Sequence, residues 1–218
     1  AKGSTVIISV HIPFDFDRSP IEGAPNKYIH EDAEVTNKAH VYKILAPFKV
    51  HFMSGHTHWN QQFENEYGYH HIHGAFCGQW WQSPTNSDGT PLGYGVYEVN
   101  GDSLTWYYQA AGKPKDYQLR VYPPDSTGLF VANVWNADPT WKIEWWADGK
   151  PMGKMTRFLG IDPLIEAHNN ALVNAWSWVR PTLTSHMYRA KVDLTVKEIR
   201  VLVTDRFGKT YTEKIDLP

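Results

Sequence analysis

Val50-His51-Phe52-Met53-Ser54-Gly55-His56-Thr57-His58-Trp59 is an apolar, strand-like run that passes straight into two histidines two positions apart. In extended chain, residues i and i+2 project to the same side, so this reading sends both imidazoles to one place. Gly55 is expected to give the sharp turn and close approach that an ion needs. A second apolar run, Thr5-Val6-Ile7-Ile8-Ser9-Val10, ends in His11 and is followed by Ile12-Pro13-Phe14, where the proline forces the chain out of the strand. Between the two runs, residues 31–45 carry Val35, Ala39, Tyr42 and Leu45 at helical spacing, and Pro47 stops the helix. Strand, helix, strand with a histidine after each strand describes a site at the carboxyl edge of an α/β sheet. A metal centre is the economical reading of His11, His56 and His58, because neutral imidazoles suit Zn, Fe or Mn.

These residues resemble the last two motifs of the calcineurin-like metallophosphoesterases, a lone histidine after a strand and a Gly-His-x-His. The likeness continues through Gly74-Ala75-Phe76-Cys77-Gly78-Gln79-Trp80-Trp81 and Asp88-Gly89-Thr90-Pro91-Leu92-Gly93-Tyr94, which are similar to a bacterial subgroup with a β-rich C-terminal domain. The resemblance implies a dinuclear-metal-dependent hydrolase of phosphate esters with two divalent ions, Mn, Fe or Zn. By the same resemblance His11 and His56 share one ion with a bridging Asp and an Asn, and His58 binds the other. The family's earlier motifs, Asp-x-His, Gly-Asp followed by Asp, and Gly-Asn-His-Asp/Glu, have no counterpart in the ten residues before His11. On this reading the chain is the C-terminal half of an enzyme, with no catalytic residue of its own, inactive alone and holding at most one ion weakly. Its partners are the N-terminal half and a small phosphate ester, and uncovered apolar surface predicts a homodimer or a retained N-terminal fragment. The subgroup implies a periplasmic or cell-envelope location.

Composition narrows the classes further. The apolar fraction of 42% and charged fraction of 20% are those of a globular protein with a real core. Lys and Arg number 21 against 23 Asp and Glu, without a basic run, which argues against nucleic acid as a partner. No apolar run approaches the roughly 20 residues of a membrane span. The single cysteine, Cys77, excludes an intrachain disulfide and is expected to be a small buried residue.

Beyond Gln61 the pattern is β. Hairpins are expected over residues 61–76 around Tyr67-Gly68 and over 93–109 around Asn100-Gly101, and Pro123-Pro124-Asp125 punctuates the chain. Further strands are expected at 129–135, 141–147, 187–194, 198–204 and 210–215. The fold class is therefore α+β, mostly β: a partial metallophosphoesterase αββα half over 1–120, then an immunoglobulin-like β-sandwich over 121–218.

Ten Trp and twelve Tyr leave a rival reading open, a non-enzymatic envelope module that binds carbohydrate or protein through an aromatic face. Trp135, Trp141, Trp145, Trp146, Trp176 and Trp178 are expected mainly in the sandwich core. Trp59, Trp80 and Trp81 are candidate substrate-binding residues, Trp80 and Trp81 equally able to plug an interface. His70, His71 and His73 are expected as half-exposed strand residues, and Asp15 and Asp17 as solvated loop charges.

Overall fold

The computed structural model describes residues 2–22 and 34–218. The first residues of the expected helix, 31–33, fall outside this range. The architecture is mixed, mostly β, with four sheets and two helices among the described residues.

The first sheet contains β1 (Thr5–Ser9), β2 (Lys49–Ser54), β3 (Gln61–Asn65) and β4 (Gly68–Ile72) in the order β1-β2-β4-β3. β1, β2 and β4 run parallel, and β3 returns antiparallel beside β4. Helix α1 (Lys38–Leu45) covers one face, where Tyr42 and Leu45 meet Phe14, Val50 and Phe52. It begins at Lys38, and Val35 packs on the same cluster from the turn before it. The hairpin of β5 (Gly93–Asn100) and β6 (Ser103–Ala110) turns at Gly101-Asp102, one residue later than the expected Asn100-Gly101, because Asn100 pairs with Ser103 and Gly101 takes the positive φ of 58°; it lays Leu104 and Trp106 against Tyr69. The tip of this hairpin fastens β1: the Thr5 amide donates to Asp102 Oδ1 at 3.2 Å, and the Thr5 hydroxyl donates to the Asp102 carbonyl at 2.6 Å.

The remaining strands are β7 (Arg120–Val121), β8 (Leu129–Asn133), β9 (Lys142–Ala147), β10 (Lys150–Lys154), β11 (Thr156–Gly160), β12 (Thr184–Lys191), β13 (Glu198–Thr204) and β14 (Thr210–Asp216), with α2 (Pro163–Ala171) between β11 and β12. They form two antiparallel sheets, β11-β12-β8-β7 and β10-β9-β13-β14. One core joins the two: Phe130 and Ala132 of β8 and Tyr188 of β12 share it with Ile143 and Trp145 of β9 and with Ile199, Val201 and Val203 of β13. Alternation explains β9, where Ile143, Trp145 and Ala147 point inward while Trp146 lies partly exposed under the Arg200 guanidinium.

Several expectations need correction. Trp135, Trp141 and Trp145 are core residues, but Trp176 and Trp178 are exposed and lean on each other with ring centroids 5.3 Å apart. His70 and His71 are fully buried rather than half-exposed. Asp15 is buried and paired with Arg18 and Lys38, and Asp17 pairs with Arg157. No described helix is long and apolar enough to cross a membrane.

A candidate metal-binding edge

His11 follows β1, His56 and His58 follow β2, and His73 follows β4, so the parallel strands deliver all four at one carboxyl edge. The sharp turn does not fall on Gly55. His56 and His58 themselves take left-handed backbone, with φ of 70° and 59°, as do Trp80 and Trp81 at 52° and 62°. Such conformations cost a non-glycine residue on the order of 1 kcal/mol and persist where surrounding contacts enforce them. Residues 55–59 are thus a loop, and the strand alternation that was expected to aim both rings at one point does not operate there.

The geometry of His11 and His56 suits a shared ligand. His56 Nδ1 lies 3.0 Å from His11 Nε2, with the rings edge to face. Two nitrogens bound to one ion at about 2.1 Å and at right angles stand about 3 Å apart. Burial, and then the neighbouring His11 and His58, hold the His56 imidazole below its usual value, which keeps its lone pair available. His58 is fixed in a different way. Its Nδ1–H donates to the Gly78 carbonyl at 2.6 Å, and its ring stacks on Trp80 with centroids 4.1 Å apart. That bond assigns the tautomer and leaves Nε2 as the nitrogen whose lone pair could serve an ion. Among the described residues no group of three or more His, Cys, Asp or Glu is arranged to hold an ion. The three histidines fit as part of a ligand set, with no carboxylate from the described residues beside them.

The aromatic candidates separate. Trp59 packs inward beside Phe16, Phe63 and Ile72. Trp80 backs His58, whereas Trp81 is 83% exposed. Gln79 between Gly78 and Trp80 donates to the Arg180 carbonyl at 2.7 Å, so the loop carrying Trp176 and Trp178 lies alongside. Phe76, Trp81, Val173, Trp176 and Trp178 are all exposed on these two neighbouring loops. Cys77 is partly buried.

Sequence reasoning did not find the polar residues behind this edge. Asp88, Asn60, Asn133, Asp162 and His186 are all buried and joined by hydrogen bonds. They are scattered over the chain without any local spacing. The one local signal was Asp162-Pro163 with Glu166, an N-cap, a proline at the first helical position and an acid in the first turn, which announces α2.

Residues 70–211, well over half of the chain, match the family described as the C-terminal of calcineurin-like phosphoesterase. The chain belongs to that family. The match takes in Trp80, Trp81, Asp88 and His186, and His11, His56 and His58 precede it. No curated protein and no solved structure matches the chain.

Proposed function

We propose that the protein containing these residues is a phosphoesterase that works with two divalent ions, and that this chain supplies His11, His56 and His58 to them. The observation that carries the reading is the convergence of His11 and His56 at 3.0 Å on the carboxyl edge of the parallel strands, in a chain of this family. The bound ions would neutralise charge on the phosphoryl oxygens and activate water. The chain's own part is to hold the imidazoles in place: His56 against His11, and His58 through the Gly78 carbonyl and the Trp80 ring. The carboxylate and asparagine ligands come from a segment outside these residues, and the chain alone is inactive. Ile7 and Ile12, exposed on and just after β1, are the apolar surface that such a segment, or a second copy, would cover. The αββα assignment for the first unit, the immunoglobulin-like assignment for the second, and the cell-envelope location belong to the same proposal.

Hydrolysis of an aryl phosphate and its diester tests this reading in a longer protein that contains the chain, assayed with Mn, Zn or Fe. His56→Ala and His58→Ala are each expected to lower kcat/KM by at least about 100-fold, since losing a ligand removes an ion from the reacting centre. Full activity in either variant, or metal-independent activity, removes the proposal.

Trp80 stacks on His58 and Trp81 follows it in the same loop, so we assign both to the group esterified to phosphate, while Trp59 packs inward on Phe16, Phe63 and Ile72. Trp81→Ala should leave stability within about 0.5 kcal/mol because the ring is exposed. The same variant is expected to raise KM for an aryl ester several-fold while kcat changes little, through lost stacking worth about 1 kcal/mol. An unchanged KM would take Trp81 out of the site.

A further inference from the structure

The peptide units on either side of Trp59 are gripped from the next loop. The His58 carbonyl accepts from the Ser87 amide at 3.1 Å and from the Ser87 hydroxyl at 2.9 Å. The Asn60 amide donates to Asp88 Oδ2 at 2.6 Å. Asn60 then ties the edge together, its Oδ1 accepting from the Gly74 amide at 2.6 Å and its Nδ2 donating to the Trp135 carbonyl at 3.3 Å.

Asp88 is itself held by β12. His186 Nε2 lies 3.0 Å from Asp88 Oδ2, and His186 Nδ1 lies 2.7 Å from Asn133 Oδ1. The Asn133 amide group donates to the Asp88 carbonyl and to Asp162 Oδ2, which leaves its Oδ1 as an acceptor. His186 Nδ1 must therefore donate. The Asp88 carboxyl group accepts from the Asn60 amide, the Thr90 amide and the Thr90 hydroxyl. His186 Nε2 faces the same Oδ2, and both side chains of the pair are buried.

A buried contact between two ionisable side chains is a poor means of stabilising a fold, because desolvation consumes most of the attraction. Here its bonds end on backbone next to a candidate ligand whose left-handed conformation has to be enforced from outside. We propose that Asp88 and His186 are positioning residues for His58: the pair fixes Ser87 and Asp88 against the peptide units flanking Trp59, and so aims His58 Nε2 at its ion. The proposal deepens the phosphoesterase reading and rests on it for the identity of His58 as a ligand. It gives the two-sheet unit a part in the centre, since His186 reaches Asp88 across 98 residues of sequence.

The chain labelled with ¹⁵N at its histidines tests this without an activity assay. A ring proton is expected at Nδ1 of His186, bonded to Asn133, and at Nδ1 of His58, bonded to Gly78. Titration with Mn²⁺ should broaden the His11, His56 and His58 ring signals before those of the buried histidines. Asp88→Asn should shift the His186 ring signals and raise the Mn²⁺ concentration needed to broaden His58 by ~10-fold or more, the usual cost of losing an outer-shell partner. Ser87→Ala, a small change that leaves the buried pair intact, should raise it several-fold with His186 unaltered. A native His58 without an Nδ1 proton, or a His58 response unchanged in both variants, overturns the proposal. If Mn²⁺ broadens none of the three histidines in the native chain, the metal reading fails instead. Positioning is then decided by whether the His58 Nδ1–H signal, the mark of its bond to Gly78, survives in Asp88→Asn.

Discussion

Urea denaturation of the chain is expected to show stability falling by about 3 kcal/mol or more between pH 7.5 and pH 4.5. The cause is a set of histidines folded away as neutral rings. His70 lies flat between Phe52 and Phe63, with centroids 4.8 and 4.5 Å away, and burial pushes it down to about 4. The enclosed ring of His73 is likewise pushed down to about 4 by burial, and its Nδ1 has no partner. His71, beside both His51 and His73, is held well below the usual value, by burial first and then by those neighbours. These values lie below the ordinary 6.5, so between about pH 6.5 and 4 the unfolded chain binds more protons than the folded one. The stability is fully present above about pH 6.5 and is lost as pH falls through that window. At about 1.4 kcal/mol per pH unit, His70 and His73 each account for roughly 3 kcal/mol. Glu213 works the other way: burial pushes its carboxyl up to about 7, so it adds stability as pH falls and offsets roughly one histidine. A stability that is flat or rising from pH 7.5 to 4.5 would show that these rings are not neutral and enclosed.

Asp162→Ala is expected to cost about 3–5 kcal/mol, read from the same denaturation at pH 7.5. The side chain has no exposed surface and serves α2, β8 and the end of β7 at once. Its Oδ1 caps α2 by accepting from the Leu164 and Ile165 amides, a function worth about 1 kcal/mol by itself. Its Oδ2 accepts from the Tyr122 hydroxyl at 2.7 Å and from the Asn133 amide at 2.8 Å, with the Arg120 guanidinium at 3.8 Å. Alanine leaves the Tyr122 hydroxyl and one Asn133 amide hydrogen without an acceptor and removes the carboxylate beside Arg120, which keeps its bonds to Gly89, Tyr122 and Tyr117; the two orphaned donors dominate the loss. Gly89 shows how closely this carboxylate is enclosed. A Cβ there would stand 2.1 Å from Asp162 Cγ, and its φ of +79° is left-handed, so the glycine after Asp88 is dictated on both counts. A loss below about 1 kcal/mol would mean that water reaches the site and takes over these bonds.

The elements with strong local signals were legible in the sequence. Val50 to Ser54, the β5-β6 hairpin to within one residue of its turn, and the alternating β9, β13 and β14 read directly, because period-2 burial and a glycine-containing turn are written in adjacent residues. β10 was not legible. All five of its residues are exposed, and Pro151 and Gly153 look like a loop; only pairing with β9 makes it a strand. α2 was missed since it buries Ile165 alone and carries no apolar stripe. At the candidate site, sequence supplied His11, His56 and His58 and the edge they occupy, but not their orientation. His56 turns to His11, and His58 turns to Gly78, through left-handed backbone that no alternation rule anticipates. The polar residues behind them are assembled by tertiary pairing between β8, β12 and the 86–90 turn, so no window of sequence contains them.

The bond between Asp88 and His186 also sets an order of events at the ribosome. A bacterial or eukaryotic ribosome adds on the order of 5–20 residues per second. The 98 residues separating Asp88 from His186 therefore take roughly 5–20 s to make. Throughout that interval the parallel strands and the histidine loop have already been synthesised, while the side chain that completes the buried pair has not. The histidine edge is accordingly among the last parts of the sheet to acquire its final shape, since the residues that hold Asp88 arrive only with the C-terminal strands.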